Sequence, residues 1–527
     1  MTNINAGSWS EINNIKPNSL SEEVIKSLNE LGFPTMTPVQ RTVIPYFLNY
    51  KDVAVEAITG SGKTLAFLVP AIEFLKRKPE NMRNELTVLI LLPTRELAQQ
   101  VYSVCELFIK HHSFINPQLL IGGCQLSADI EVFNEKKPNI IIATPGKLHE
   151  FIVDVNTKQL PTFKNLELFI VDEADQILKM GMETHLTAIF QALPKQRRTG
   201  LFSATLTDAL KSIIHTGMRN AIFLKIKNEG AIPIELLNYY SIVDDEYKLT
   251  QLVDFLRTTA NNKKCIIFLL TGAIVEYFHD VLELLFQERK IIPLYGQMKQ
   301  NDREKSLTDF RENDGAILLA TDIAARGIDI PDIDWIIQFD APQDPNMYIH
   351  RVGRTARIGN KGSAILFLRE HEDLKGYVDY MINEKVSMEE KEVPIPDDKD
   401  EILDKIRKHM KDNKDFYQKG IRAMVSYARA YGEHKLKLIL MKKDIDFIAL
   451  GKSFGLVRLP IMPELKNRKD EQEKYNALYQ DLIPEKYRNK PCVNPAPKQK
   501  KKVQRTAEEE INMIQKIYRK GGFRPHK

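Results

Sequence analysis

Two clusters in this chain have the residue types and spacing for phosphate chemistry. One is the loop AITGSGKT (57–64). The other is the tetrad Asp172-Glu173-Ala174-Asp175, which closes the apolar run Leu168-Phe-Ile-Val171 further along the chain. Gly60 and Gly62 permit a turn whose backbone N–H groups surround phosphate oxygens, with the following helix pointing its N-terminus at them. Lys63 supplies a point charge to the β- and γ-phosphates, and the Thr64 hydroxyl is a ligand for Mg²⁺. Thr59, Gly60, Ser61, Gly62, Lys63 and Thr64 are therefore the candidate nucleotide-binding set. Of the carboxylates after the apolar run, Asp172 is expected to hold Mg²⁺ and Glu173 to take a proton from attacking water. Such sites work mostly by positioning and charge neutralisation. A lone loop of this kind arises in ordinary turns, and two acids often open a solvated helix. In this order they predict a motor or switch driven by ATP.

A third cluster lies far downstream. His350-Arg-Val-Gly-Arg-Thr-Ala-Arg357 places Arg351, Arg354 and Arg357 at three-residue intervals, which on a helix keeps them near one face. Arg354 and Arg357 are expected to reach a γ-phosphate across an interdomain cleft as arginine fingers. Standing alone, the segment reads as a basic surface helix. A site split this way is complete only when two domains close, which couples ATP binding to closure.

The elements that must position these residues are legible as apolar runs. Residues 53–55, 87–92, 139–142, 168–171 and 200–202 form one series of short runs rich in β-branched and aromatic residues, alternating with helix-like segments. Residues 265–268, 316–319, 335–339 and 363–367 form a second. That is the pattern of buried parallel strands with helical crossovers, and it predicts an α/β fold with two domains of similar architecture. The expected organisation is an N-terminal flank (1–30), a nucleotide-binding domain (31–227) and a linker (228–236), with Gly230 and Pro233 expected at a hinge. A second domain (237–375), a charged linker or helix (376–412), a helical C-terminal element (413–470) and a basic, flexible tail (471–527) follow. Within the C-terminal element, Ile421, Met424, Val425, Ala428 and Tyr431 recur at helical spacing. Asp444 is placed to cap a second helix that ends near Gly455. Glu508 to Arg519 reads as a short amphipathic helix.

Composition narrows the class. Of 527 residues, 43% are hydrophobic and 28% charged, as in ordinary globular proteins. The sequence contains no apolar stretch long enough for a membrane span, and its polar N-terminus lacks a signal pattern. Cys105, Cys124, Cys265 and Cys492 are scattered, which argues against zinc or a disulfide framework and fits a reducing compartment. The net charge of +5 is uneven: from Lys486 onward there are 13 Lys and Arg against 3 Glu. A basic tail on a near-neutral body suits a polyanion such as RNA, or simply keeps the tail solvated.

The motifs taken together resemble the DEAD-box ATP-dependent RNA helicases over about residues 9 to 375, which implies two RecA-like domains in tandem. In GFPTMTPVQ (32–40), the resemblance implies that Gln40 hydrogen-bonds adenine. Trp9 would be the upstream aromatic that packs on the base, and Phe33 would be structural. Pro93, Thr94 and Arg95 of PTRELA, Gly122 and Gly123, and Thr144, Pro145, Gly146 and Lys147 correspond to RNA-backbone motifs of the first domain. In the second domain Gly296, Gln300, Arg303, Thr321 and Arg326 correspond to RNA contacts, and Asp329 to a contact with the ribose of ATP. Ser203 and Thr205 of the SAT motif, with Asp175 and His350, are the expected coupling residues between hydrolysis and strand separation. Departures are few. Lys147 stands where arginine is usual, Met36 replaces a common proline, Ala356 a frequent glycine, and Phe268 to Thr271 is a loose version of its motif.

AMVSYARAYGEHKLKL (423–438) and LGKSFGLVRLPIMPEL (450–465) are similar to the extension of a DEAD-box subgroup that assembles the large ribosomal subunit. The same residues also read as a small helical pack against the second domain. Tyr427, Tyr431 and Leu456 would then lie inward, with Arg422, Arg429, Lys435, Lys437 and Arg458 facing RNA. The resemblance implies a nucleolar protein, a monomer outside pre-60S particles, with ATP and Mg²⁺ as cofactors and no membrane partner. It would remodel ribosomal RNA precursors. An ATP-gated RNA clamp, or a helicase of splicing or decay, remain alternatives.

Overall fold

The computed structural model describes residues 7–14, 19–57, 60–157, 163–226, 236–322, 333–355, 362–369, 374–488 and 492. The expected hinge at 228–233 and the helix at 508–519 lie outside them.

Two parallel seven-stranded sheets carry the chain. The first contains β1 (Val53–Glu56), β2 (Val88–Leu91), β3 (Pro117–Leu120), β4 (Ile140–Ala143), β5 (Leu168–Val171), β6 (Arg198–Ser203) and β7 (Ile222–Lys225), in the order β3-β4-β2-β5-β6-β1-β7. The second contains β8 (Leu236–Val243), β9 (Cys265–Phe268), β10 (Ile291–Leu294), β11 (Ile317–Ala320), β12 (Trp335–Gln338), β13 (Gly362–Arg369) and β14 (Glu389–Glu390), in the order β10-β11-β9-β12-β13-β8-β14. Helices cover both faces, so the central strands VLIL, IIIA and LFIV are buried throughout and read as continuous apolar runs.

The strands that the apolar pattern missed are mainly edge or near-edge strands. β3 and β10 lie at sheet edges and carry Pro117 and Pro293, residues that cannot serve a central strand but are tolerated at an edge. β7 is half-exposed, and β8 alternates along its length. The strand order places the carboxyl ends of β1 and β5 near one another with only β6 between them, which brings the phosphate loop beside the acidic tetrad.

Three domain boundaries differ from expectation. The N-terminal flank is part of the first domain, because Trp9, Ile12, Leu20, Val24 and Leu28 are buried in its core. The stretch expected as a charged linker or helix is packed into the second domain: β14 pairs with β8, and Gln251 Nε2 donates to Val393 O at 2.6 Å. Helix Lys399–Asp412 also buries Ile402, Leu403, Ile406 and Met410. Charge on its outer face hid an inner apolar stripe. The C-terminal pack does not end at 470 either, since Tyr475, Ile483 and Cys492 belong to the same core.

The C-terminal extension shares one continuous core with the second domain. Helix Lys414–Tyr431 is capped by Asn413, whose side chain accepts from the N–H groups of Asp415 and Phe416. The next helix, Phe447–Ser453, is capped by Asp446 rather than by Asp444. Tyr427 and Leu456 are fully buried, as expected of core residues. Phe454 packs on Tyr277 and Phe278 of the second domain and on Tyr427 of the extension. Emptying that position removes a shared ring, so Phe454→Ala should destabilise the unit by about 3–5 kcal/mol. Urea denaturation should show the second domain and the extension unfolding in one transition. Two separated transitions in the wild-type protein would contradict the continuous core.

Candidate active site between the two domains

Gly62 begins the site. Its φ of +91° is left-handed, and a Cβ there would come within 2.6 Å of the Gln40 amide, so glycine is required. It precedes helix Lys63–Arg77, whose first N–H groups face the loop. Gln40 accepts from Thr37 N at 2.8 Å and donates to Gly62 O at 3.0 Å. In this conformation the adenine-reading candidate braces the phosphate loop. Trp9 is a correction: it is 1% exposed and its Nε1 donates to Phe33 O at 2.6 Å, so it is a core residue with no face open to a base. Thr59 lies outside the described residues.

The tetrad meets the loop directly. Lys63 Nζ donates to Ala57 O at 3.2 Å and lies 3.9 Å from Asp172 Oδ1. Burial pushes the Asp172 carboxyl above its ordinary value, against the pull of the Lys63 ammonium and the Glu173 N–H. A buried carboxylate with an ammonium beside it, and the Thr64 hydroxyl in the first helical turn, form a hard oxygen set that suits Mg²⁺. Glu173 has a φ of +48°, a backbone state that costs about 1–3 kcal/mol for a side-chain-bearing residue and concentrates at functional sites. Asp175 is held from two sides: Ser203 Oγ donates to Oδ1 at 2.8 Å and Gln176 Nε2 to Oδ2 at 3.1 Å. Thr205 N donates to Ser203 Oγ at 3.3 Å. The coupling residues of the first domain are thus in contact.

The second domain closes over this group. His350 and Arg354 are 8% and 6% exposed and face Glu173 electrostatically; His350 also faces Asp175. Burial lowers the Arg354 pKa, and Glu173 opposes that shift. Arg351 departs from expectation. It is 1% exposed, pairs in bidentate fashion with Asp322 at 2.5 and 2.9 Å, and donates to Gln338 and to the Asp340 carbonyl. The helix stops at Val352 with Gly353 as its cap, so Arg351 and Arg354 do not share a helical face. Arg351 anchors the segment and Arg354 enters the cleft. Arg357 and Asp329 lie outside the described residues.

The RNA candidates divide. Arg95 rests on Gly122 and Gly123, where a Cβ on Gly122 would come within 2.7 Å of its guanidinium. Thr94 caps helix Arg95–Ile109, and Pro145 and Gly146 begin helix Pro145–Thr157 just after Thr144. Both helices therefore present N-terminal N–H groups along one rim. Lys147 is a correction: its Nζ is buried against Asp129 Oδ2 at 2.8 Å and Cys124 O at 2.9 Å, which neutralises its charge internally. Arg303 crosses the cleft instead of standing open, with Nε and Nη2 at 3.1 and 3.0 Å from Glu96 Oε1. Gln300 donates to Glu304 at 2.9 Å, Gly296 is exposed, and Thr321 sits buried at the end of β11. Arg326 lies outside the described residues.

Models of two helicase domains match this chain: DEAD/DEAH box helicase over residues 37–213 and helicase conserved C-terminal domain over 247–359. The ATP-dependent RNA helicase DDX55 of Gallus gallus is 42% identical over 479 residues, covering 89% of this chain and 79% of that one. The chain belongs to the DEAD-box family of ATP-dependent RNA helicases. A third model, "ATP-dependent rRNA helicase SPB4-like, C-terminal extension", matches residues 413–462 of the helicase. DEAD-box ATP-dependent RNA helicase 18 of Oryza sativa subsp. japonica is 41% identical, covering 90% of this chain and 75% of that one. Among solved structures, Mss116p bound to ssRNA and AMP-PNP shares the fold with a TM-score of 0.74 at 24% identity, covering 91% of this helicase and 97% of that chain. S. cerevisiae Dbp5 bound to RNA and ADP BeF3 has a TM-score of 0.60 at 26% identity, covering 75% and 98%.

Sequence reasoning missed Glu96, Asp322, Lys179 and Asp344 of the helicase, all of which join elements distant in sequence. Glu96 stood inside PTRELA and Asp322 directly after Thr321, so acids beside the RNA candidates were the available signal.

The cleft makes a pH prediction. Burial lowers the His350 pKa to about 4, against the attraction of Glu173 and Asp175 and reinforced by Arg354 and Lys63. In an open or unfolded chain the imidazole titrates near its ordinary value of 6.5. The closed form therefore keeps its full stability above that pH and loses it progressively as pH falls from about 6.5 toward 4. Nitrogen-15 spectra of the histidines should show His350 neutral at pH 6. A titration midpoint near 6.5 would place the ring in water and contradict the closed cleft.

Proposed function

We propose that this helicase remodels ribosomal RNA precursors during assembly of the large ribosomal subunit, in the nucleolus. Two findings support the pathway. The extension matches a model described for SPB4-like rRNA helicases, and the relatives named DDX55 match along most of the chain. The mechanism rests on one observation above all: Glu173 of the first domain faces His350 and Arg354 of the second within a buried cleft.

On this reading Gly60, Ser61, Gly62, Lys63 and Thr64 hold the triphosphate of ATP. Thr64 and Asp172 would hold Mg²⁺, which supplies charge neutralisation at the phosphates. Glu173 takes the proton of the attacking water. Arg354 brings a fixed positive charge to the γ-phosphate only when the domains meet, so hydrolysis requires closure. RNA lies across both domains along the rim formed by Thr94, Arg95, Gly122, Gly123, Thr144, Pro145 and Gly146, and near Gly296 and Thr321. Backbone and phosphate contacts make binding largely independent of sequence and sensitive to salt. Closure bends one strand and separates a short duplex; hydrolysis and phosphate release reopen the domains.

The Glu96–Arg303 pair favours a second reading, an ATP-gated clamp that holds RNA without unwinding it. A variant that binds ATP and RNA without hydrolysis separates the two, because only a clamp is served by it in cells.

Glu173→Gln should lower RNA-stimulated ATP hydrolysis by about 10²–10⁴-fold, the usual worth of a general base. Lys63→Ala should abolish it. A wild-type rate in Glu173→Gln would remove the catalytic assignment. Ultraviolet crosslinking of the same variant in cells tests the pathway. The slow variant should accumulate on large-subunit ribosomal RNA, and reads spread over messenger or small nuclear RNA would contradict the assembly role.

A further inference from the structure

Residues 339–345 join β12 to helix Asn346–Val352, which carries His350 and Arg351 and leads to Arg354. The C-terminal extension grips this joint at three residues. Tyr427 OH donates to Asp340 Oδ1 at 2.6 Å, the same oxygen that Lys248 Nζ reaches at 2.6 Å. Further along, Gln343 Nε2 donates to Ala430 O at 2.6 Å, and Lys435 N donates back to Gln343 O at 2.9 Å. Lys435 Nζ then pairs with Asp344 Oδ2 at 2.9 Å.

The same Asp344 oxygen also meets the first domain. Lys179 Nζ lies 3.3 Å from it, and Lys179 ends the short helix that begins in the acidic tetrad. Lys179 Nζ is also 3.5 Å from Asp175 Oδ2, and Asp175 accepts from Ser203. A line of polar contacts thus runs from Ser203 through Asp175, Lys179 and Asp344 to Lys435. Its only crossing between the domains is the Lys179–Asp344 pair. Asp344 is 14% exposed at its side chain, so the pair is largely shielded from water on that side. Burial opposes ionisation of Asp344, yet the Lys435 hydrogen bond and the Lys179 charge hold its carboxyl below the usual range.

The two lysines differ in when they act. Lys435 belongs to the extension, which shares a core with the second domain, so it holds Asp344 whether the cleft is open or closed. Lys179 arrives only on closure. A carboxylate fixed beforehand loses less freedom when its second partner arrives. We propose that Lys435 is a positioning residue for ATP-driven closure: it holds Asp344 where Lys179 meets it. The extension thereby sets how firmly the arginine segment docks on the tetrad. This rests on the ATPase reading above, in which closure completes the site.

The test measures the affinity of the full chain for a single-stranded RNA oligonucleotide, with and without AMP-PNP. Their ratio reports closure. Lys435→Met should lower the ratio by about threefold, the scale of a partly exposed ion pair. Lys435→Arg should retain the ratio. In a Lys179→Met background, Lys435→Met should have no further effect, because both act through one carboxylate. An unchanged ratio in Lys435→Met, or independent losses that multiply in the double variant, would overturn the inference. So would an equal loss of affinity in both states, which would make Lys435 an RNA contact. A wild-type protein that binds RNA equally with and without AMP-PNP would overturn the ATPase reading itself, and the inference with it.

Discussion

Charge in a dry cleft must be paired, and here neither domain carries both halves of the pairs. Glu96 and Arg303 approach to 3.0 Å with side chains only 9% and 11% exposed, one from each domain. Glu173 faces Arg354 across the same gap. Removing such groups from water is costly unless the partner arrives in good geometry, and a buried charge left unpaired is strongly destabilising. The domains are therefore stable either well apart, with these groups hydrated, or fully docked. That two-state character is what a catalytic cycle can exploit. Small biases from nucleotide or RNA select between distinct arrangements and do not produce a graded motion.

The second domain is the larger mechanical unit. Its sheet, the helix Lys399–Asp412 and the extension share one hydrophobic core, and hydrogen bonds to Asp340 and Gln343 tie the extension to the residues that lead into the arginine segment. Tyr427 on Asp340 and Arg351 on the Asp340 carbonyl meet at a single residue. The extension therefore buttresses the half of the active site that carries Arg354.

Much of this was legible in the sequence because it is local. The phosphate loop needs glycines at fixed positions, the tetrad needs a buried strand before it, and fully buried parallel strands announce themselves as apolar runs. Edge strands did not, because Pro117 and Pro293 break the pattern where the sheet tolerates a break. The candidate residues that were misplaced share a different cause. Arg351, Lys147 and Trp9 have the right chemistry for a ligand, but Asp322, Asp129 and the Phe33 carbonyl engage them first. Those partners come from other elements and become visible only with the topology. The stretch 376–412 was legible only as a charged linker or helix, because helix Lys399–Asp412 is polar on average and apolar only along one stripe.

The central claim is that closure, held by charges paired between domains, completes the ATPase site. A charge swap at Glu96 and Arg303 tests it most directly, read as RNA-stimulated ATP hydrolysis. Glu96→Arg and Arg303→Glu should each lose about tenfold or more, since each leaves like charges facing in a buried gap. The double variant restores opposite charges across the cleft and should recover most of the rate. A double variant as slow as the product of the two single losses would mean that these residues act separately, and that the cleft is not closed by the pairing described.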